Sequence, residues 1–284
     1  MRRFSNPMAT DQSAPRQPLA RWRPTPAIRL SIWLHALVIL ACVGWPDAWR
    51  WLLAIVLGNH LLLGIFGMWP RSQLLGGNLV RLPPLGYAKR QVALTFDDGP
   101  DPEVTPMVLD LLDRHAAKAS FFCIGQRAAA HPEIVREIIR RGHSVENHSY
   151  RHPYAFACYP PFALRREIEK TQTVIHALTG SRPAFFRSPA GLRSPLLDPL
   201  MTQSNLRYVS WTRRGLDCFS RNPAAILRRL IRRLAAGDVL LLHDGSCARA
   251  HNGEPIVLAV LPPLLEHLAQ SGLRPVSLPI GCAD

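Results

Sequence analysis

The chain has 284 residues, of which 48% are hydrophobic and 19% charged, and its formal net charge is +14. That balance excludes a disordered chain and suits a globular or membrane-attached protein, long enough for one large α/β domain with an appendage. The basic excess fits an anionic membrane surface or an acidic ligand; with no zinc-finger spacing, no aromatic-rich basic sheet motif and no basic region with heptads, nucleic acid is set aside.

Residues 1–26 carry Arg2, Arg3, Arg16, Arg21 and Arg23, several prolines and a single acid, Asp11. They read as a disordered basic tail. Over 27–70 two apolar segments follow. Leu30 to Trp45 contains no charged residue, and after Pro46-Asp47-Ala48-Trp49-Arg50 neither does Trp51 to Pro70. The second segment matches the roughly 20 residues a spanning helix needs, and the first is marginal. Trp33, Trp45, Trp49, Trp51 and Trp69 sit near the segment ends, as an interfacial belt requires. A doubled apolar region with no A-x-A-like cleavage site argues against a signal peptide and for a transmembrane hairpin. Basic residues before the first segment and after the second (Arg71, Arg81, Lys89, Arg90) place both ends in the cytoplasm of a bacterial inner-membrane protein. A single spanning segment would put the C-terminal domain in the periplasm instead. Residues 71–90, with Gly76-Gly77 and Pro83-Pro84, read as a linker.

From Gln91 onward, short apolar runs alternate with helical patterns. Strands are predicted over 91–96, 119–124, 143–147, 184–187, 207–211, 238–242 and 275–278. Helices are predicted over 104–115, 132–141, 161–178, 195–205, 223–235 and 256–270. Seven strands separated by helices or long loops imply a parallel sheet, open or closed into a distorted, TIM-like (β/α)7 barrel over 91–284. In a barrel of that kind the active site gathers at the strands' C-terminal ends. The six cysteines, Cys42, Cys123, Cys158, Cys218, Cys247 and Cys282, are scattered and demand no disulfide framework.

The polar residues at those strand ends form a pattern. The first strand stops at Asp97-Asp98-Gly99-Pro100. A lone Asp-Asp-Gly is an ordinary turn. The third strand leads to His148 and His152, the fourth to Arg187, the fifth to Asp217 and the sixth to His243-Asp244-Gly245. Two histidines four apart face one way on a helical turn and suit a divalent metal. With Asp98 they make an Asp-His-His set that leaves a coordination position open, as hydrolytic sites need.

TFDDGP at 95–100, HSYRH at 148–152, RSPAG at 187–191 and the apolar strand ending in His243-Asp244-Gly245 resemble, in order and spacing, the polysaccharide deacetylases of the NodB-homology type (carbohydrate esterase family 4). The resemblance covers roughly residues 90–280. It implies Asp97 as the general base that deprotonates metal-bound water, and Asp98, His148 and His152 as ligands of zinc, with cobalt or nickel in some relatives. Arg187 would orient Asp97, His243 would protonate the leaving amine, and Asp217 would orient His243. A backbone N–H near Ala190 would help the metal stabilise the oxyanion, and Ala190, Gly191 and Trp211 would line the substrate groove. Ala190 stands where the family usually has an aromatic residue and Cys218 where it usually has tryptophan. Both exchanges remove surface on which a sugar ring could stack.

The resulting expectation is a membrane-anchored, metal-dependent hydrolase that removes an N-acetyl group from an amino sugar of a glycan or lipid-linked saccharide. Deformylation of a lipid-linked aminosugar, O-deacetylation, and non-catalytic carbohydrate binding at a membrane are the alternatives. No protein partner is evident.

Overall fold

The computed structural model describes residues 21–250 and 252–283. The first 20 residues of the expected basic tail lie outside them. Helix α1 (Pro26–Gly44) begins on Thr25, whose hydroxyl accepts from the Ile28 N–H, with Pro26 in the first turn. A short turn over Pro46–Ala48 leads into α2 (Trp49–Met68). Both helices are long and apolar enough to cross a membrane by length and composition. They pair as a hairpin whose few polar groups satisfy one another. Asn59 donates to Ser31 Oγ at 2.9 Å, and the His35 and His60 rings meet edge-on at 5.2 Å. The rest of the surface is apolar and unburied, with Leu40 67% and Val43 81% exposed. Water penalises such a surface and lipid does not.

Residues 71–90, read as a linker, pack against the barrel. Leu75 and Leu82 are buried, and α3 (Pro84–Ala88) forms within the segment. The barrel follows as β1 (Gln91–Asp97), α4 (Val104–Arg114), β2 (Ser120–Cys123), α5 (Gly125–Ala130), α6 (Pro132–Arg140), β3 (Ser144–Asn147), α7 (Pro161–Thr179), β4 (Phe185–Phe186), α8 (Leu197–Gln203), β5 (Arg207–Tyr208), β6 (Arg213–Arg214), α9 (Pro223–Ile231), β7 (Val239–His243), α10 (Ile256–Gln270), β8 (Arg274–Val276) and α11 (Leu278–Gly281). All strand pairings are parallel, in the order β5-β4-β3-β2-β1-β7-β6, with β8 also paired to β1. There is one strand more than the seven expected. The run 207–211 is strand only over its first two residues, and β6 forms separately.

The sheet curls into an incomplete barrel. Leu79 pairs in parallel with Val209 beyond the free edge of β5, and Arg81 pairs antiparallel with Asp238 at the foot of β7. The connecting segment thus patches the opening in the wall. Outside the sheet, α4, α6, α9 and α10 supply Leu109, Ile138, Ile226 and Leu261 to one large core. A smaller core fills the barrel itself, with Phe122, Phe185, Trp211 and Leu241.

Candidate active site

Period-two alternation decides which side chains enter the barrel. On β1, Val92, Leu94 and Phe96 face the helices, whereas Ala93 faces the barrel interior. Asp97 falls on the Ala93 side, at the C-terminal mouth. On β7, Val239 and Leu241 point inward, and His243 continues that row. On β4, Phe185 points inward, and Arg187 follows it. The parallel register sets Asp97 directly beside His243.

Arg187 is fully buried and anchors the floor of the site. Its Nη1 donates to Asp97 Oδ1 at 2.6 Å and to Thr95 Oγ1 at 2.9 Å, and its Nη2 donates to the Ser210 carbonyl at 3.1 Å. The guanidinium lies 4.1 Å above the Phe122 ring. A buried ion pair with its remaining donors satisfied is the geometry in which Coulomb attraction offsets desolvation. Asp97 Oδ2 accepts no hydrogen bond from the described residues and remains open to the cavity.

Asp98 turns away from Asp97 in a left-handed conformation, φ 72°. Its Oδ1 lies 3.3 Å from His148 Nε2 and 3.2 Å from His152 Nε2. His148 Nδ1 is tied to the Arg187 carbonyl at 2.8 Å, which fixes the tautomer that aims a Nε2 lone pair at Asp98. Burial opposes ionisation of Asp98, but the close His148, with His152 and His243 beyond it, outweighs burial and holds the carboxyl well below the usual range. Burial, helped by His148, pushes His152 down to about 4, which keeps it neutral and able to ligate.

These three residues fit a divalent cation. Asp98 Oδ1 is buried and has no hydrogen-bond partner. Ligands at about 2.05 Å from a tetrahedral zinc lie roughly 3.3 Å apart, which matches both oxygen–nitrogen distances. Asp98, Cys218 and His243 also lie within 4.8 Å of one another. That second set is the poorer one, because burial raises the Cys218 pKa and a protonated thiol is a weak ligand.

The histidine pair is brought together by a different device from the helical turn expected. Residues 148–152 form an irregular loop, with Ser149 at φ 62° and His152 at φ 54°. Side chains hold it. Asn147 Oδ1 accepts from Ser149 N, Ser149 Oγ accepts from His152 N, and the buried Glu167 of α7 accepts from Tyr150 N and Arg151 N. With Pro153 next, a helix has no room to continue.

His243 completes the site. Asp217 Oδ2 accepts from its backbone N–H at 2.7 Å, and Oδ1 meets ring Nδ1 at 2.9 Å. Burial alone would lower the His243 pKa. The Asp217 charge and hydrogen bond, joined by the Cys218 contact, overcome it and raise the pKa well above its ordinary value. The free Nε2 faces the same cavity as Asp97.

That cavity, of about 300 Å³, contains every sequence-predicted residue except Arg187 and Asp217, which act from behind Asp97 and His243. Ala190 and Gly191 form one wall. Ala190 is left-handed at φ 54°, and a Cβ on Gly191 would come within 2.3 Å of the Trp211 ring. The lining also includes residues not singled out in the sequence, Tyr154, Arg214 and Phe219. Tyr154 is 89% and Phe219 77% exposed. Aromatic surface that Ala190 and Cys218 do not supply is thus present at the rim, from Tyr154 and from Phe219 beside Cys218. The one available signal was Arg213-Arg214 on a short strand, since neighbours there must face opposite ways. Arg213 pairs outward with Asp238, and Arg214 faces the cavity.

Comparison with known proteins agrees with this geometry. Residues 86–209 match the family model described as polysaccharide deacetylase. The chain is 34% identical over 195 residues to a peptidoglycan-N-acetylglucosamine deacetylase of Bacillus cereus, an alignment spanning 68% of each protein. It is 32% identical to a chitooligosaccharide deacetylase of Bradyrhizobium, across 67% of this chain and 90% of the relative. Among solved structures, a peptidoglycan N-acetylglucosamine deacetylase superposes with a TM-score of 0.64 at 32% identity, covering 72% of this chain and 92% of the other. On motif order, barrel and relatives together, the chain belongs to the polysaccharide deacetylase (NodB-homology) family and is a hydrolase of carbon–nitrogen bonds in acylated sugars.

Proposed function

We propose that the protein removes an N-acetyl group from an amino sugar of a glycan or lipid-linked saccharide, with a divalent cation held by Asp98, His148 and His152. The observation that carries this reading is the orphaned Asp98 Oδ1 aimed at two histidines, with a buried base and a buried acid beside it. Zinc suits two imidazoles and one carboxylate best, with cobalt or nickel as alternatives. Bound there, the cation would acidify a water molecule and polarise an acyl carbonyl. Asp97 accepts the proton of the attacking water at Oδ2, while Arg187 fixes the carboxylate through Oδ1. His243, aligned by Asp217, delivers a proton from Nε2 to the departing amine. A backbone N–H at Ala190 offers a donor to the oxyanion, and Trp211 and Gly191 bound the sugar.

The names of the relatives support an N-acetyl substrate. The apolar hairpin supports a membrane anchor over 27–70, ahead of a catalytic domain at 91–284, and it favours a substrate presented at a lipid surface. Acetate release from chitooligosaccharide or peptidoglycan fragments tests the reading. We expect activity to vanish on chelation and return with Zn²⁺, and to fall by roughly 10²–10⁴-fold in Asp97→Asn and in His243→Ala. Hydrolysis that survives Asp97→Asn would overturn these roles. A protein that binds oligosaccharide but releases no acetate with metal present would be a binding module.

A further inference from the structure

Arg214 is the one cationic side chain in the catalytic cavity whose charge has no counterpart among the described residues. Each carboxylate in the cavity or directly behind it is already committed. Asp97 binds Arg187, Asp98 lies between His148 and His152, and Asp217 holds His243. Arg127, at the rim, is satisfied by the Asp98 carbonyl at 2.8 Å. The Arg214 guanidinium makes no hydrogen bond or salt bridge to the described residues, and its Nε is buried without a partner. Two aromatic faces hold it in place, Trp211 at 5.3 Å and Phe219 at 6.0 Å. Its backbone is fixed in β6 by register with Leu241 of β7.

Partly burying a guanidinium without an acceptor costs free energy, and an acceptor from outside recovers it. Contact with aromatic rings leaves the forked donors unused by the described residues, and Arg214 lines the cavity where a ligand would sit. That fork matches the two oxygens of a carboxylate or a phosphate, and a neutral hydroxyl uses it poorly.

We propose that Arg214 is a specificity determinant that binds an anionic group of the sugar substrate, a carboxylate or a phosphate carried next to the amino sugar being deacylated. This rests on the sugar-deacetylase reading above and adds to it the charge class of the substrate. Neutral homopolymers of N-acetylglucosamine would enter the cavity without using this contact.

Direct binding tests the proposal independently of turnover. Full-length protein in detergent, carrying His243→Ala so that ligand is not consumed, is titrated calorimetrically with four ligands. These are a neutral N-acetylglucosamine tetramer, a tetramer whose alternate sugars carry a lactyl carboxylate, the same tetramer with that carboxylate amidated, and N-acetylglucosamine 1-phosphate. We expect an anionic ligand to bind at least tenfold tighter than its neutral counterpart, and Arg214→Gln to reduce that ratio by at least tenfold. Arg214→Lys should keep part of it, since the charge remains and the fork is lost. The carboxylate and phosphate arms identify which anion is read. An equal affinity for charged and neutral ligands, or a ratio unchanged by Arg214→Gln, would overturn the proposal. A merely structural arginine would weaken all four ligands alike. If protein with His243 intact and metal present hydrolyses none of these ligands while the ratio still responds to Arg214, the deacetylase reading fails and the anion site stands.

Discussion

At the scale of single residues, the site separates two adjacent aspartates by backbone conformation. Asp97 ends a strand in extended geometry and points into the barrel, while Asp98 turns left-handed and points to the histidines. Such a conformation costs a non-glycine residue roughly 1–3 kcal/mol and persists only where the surroundings enforce it. Ser149, His152, Ala190, Leu216 and Ser246 share it, all in loops at the same mouth of the barrel. His243 shows how a neighbour sets chemistry. Its raised pKa keeps the imidazolium populated toward higher pH. Because the folded-state pKa lies above the unfolded one, its stabilising contribution is complete below the ordinary histidine range and is lost as pH rises through the folded value. In Asp217→Asn we expect the alkaline limb of kcat/KM to move to lower pH, together with a lower maximum. An unmoved limb would show that His243 is not the group reporting it.

At the scale of elements, a loop rather than a helix presents the two candidate metal-ligating histidines, so its rigidity depends on side chains, among them one from a packed helix. Glu167 of α7 is buried and accepts from two consecutive backbone N–H groups and from Arg151 Nε. In Glu167→Ala those donors lose their acceptor, and the His148–His152 spacing is no longer enforced. We expect metal affinity, measured by competition with a chromogenic chelator, to fall by about 10–100-fold, the usual effect of losing a support behind a metal ligand. Affinity equal to the parent would mean that Asn147 and Ser149 hold the loop unaided.

At the scale of the whole molecule, the hairpin and the residues just before it meet the barrel through the segment that follows β4. The Arg193 N–H donates to the Gly67 carbonyl at 2.9 Å, and Trp22 Nε1 donates to Asp198 Oδ2 at 2.7 Å. Loop 189–193 therefore runs from the Ala190 wall of the cavity to the end of α2, so the site and the hairpin share one structural unit. If the hairpin spans the bilayer, basic residues on both flanks favour a cytoplasmic barrel. We expect a fluorescent protein fused after Asp284 to fluoresce and an alkaline phosphatase fused there to be inactive. The opposite pair of results would indicate one crossing instead of two.

The local order of the chain determined a great deal by itself. Strand β1, helices α4, α6, α7 and α10, the apolar hairpin and the seven motif residues from Asp97 to His243 were legible. Each depends on spacing along the chain, on alternation within a strand, on 3.6-residue periodicity, or on a motif that resembles a known family. What only the tertiary structure decided depends on neighbours distant in sequence. The division of Arg213 and Arg214 between Asp238 and the cavity, the hold of Glu167 on a loop 17 residues away, the two bridges by which Leu79 and Arg81 patch the wall, and the aromatic rim of Tyr154 and Phe219 carry no local period. They follow from how β-strands of different registers close around a common mouth. That closure determines which charges meet a partner and leaves Arg214 without one.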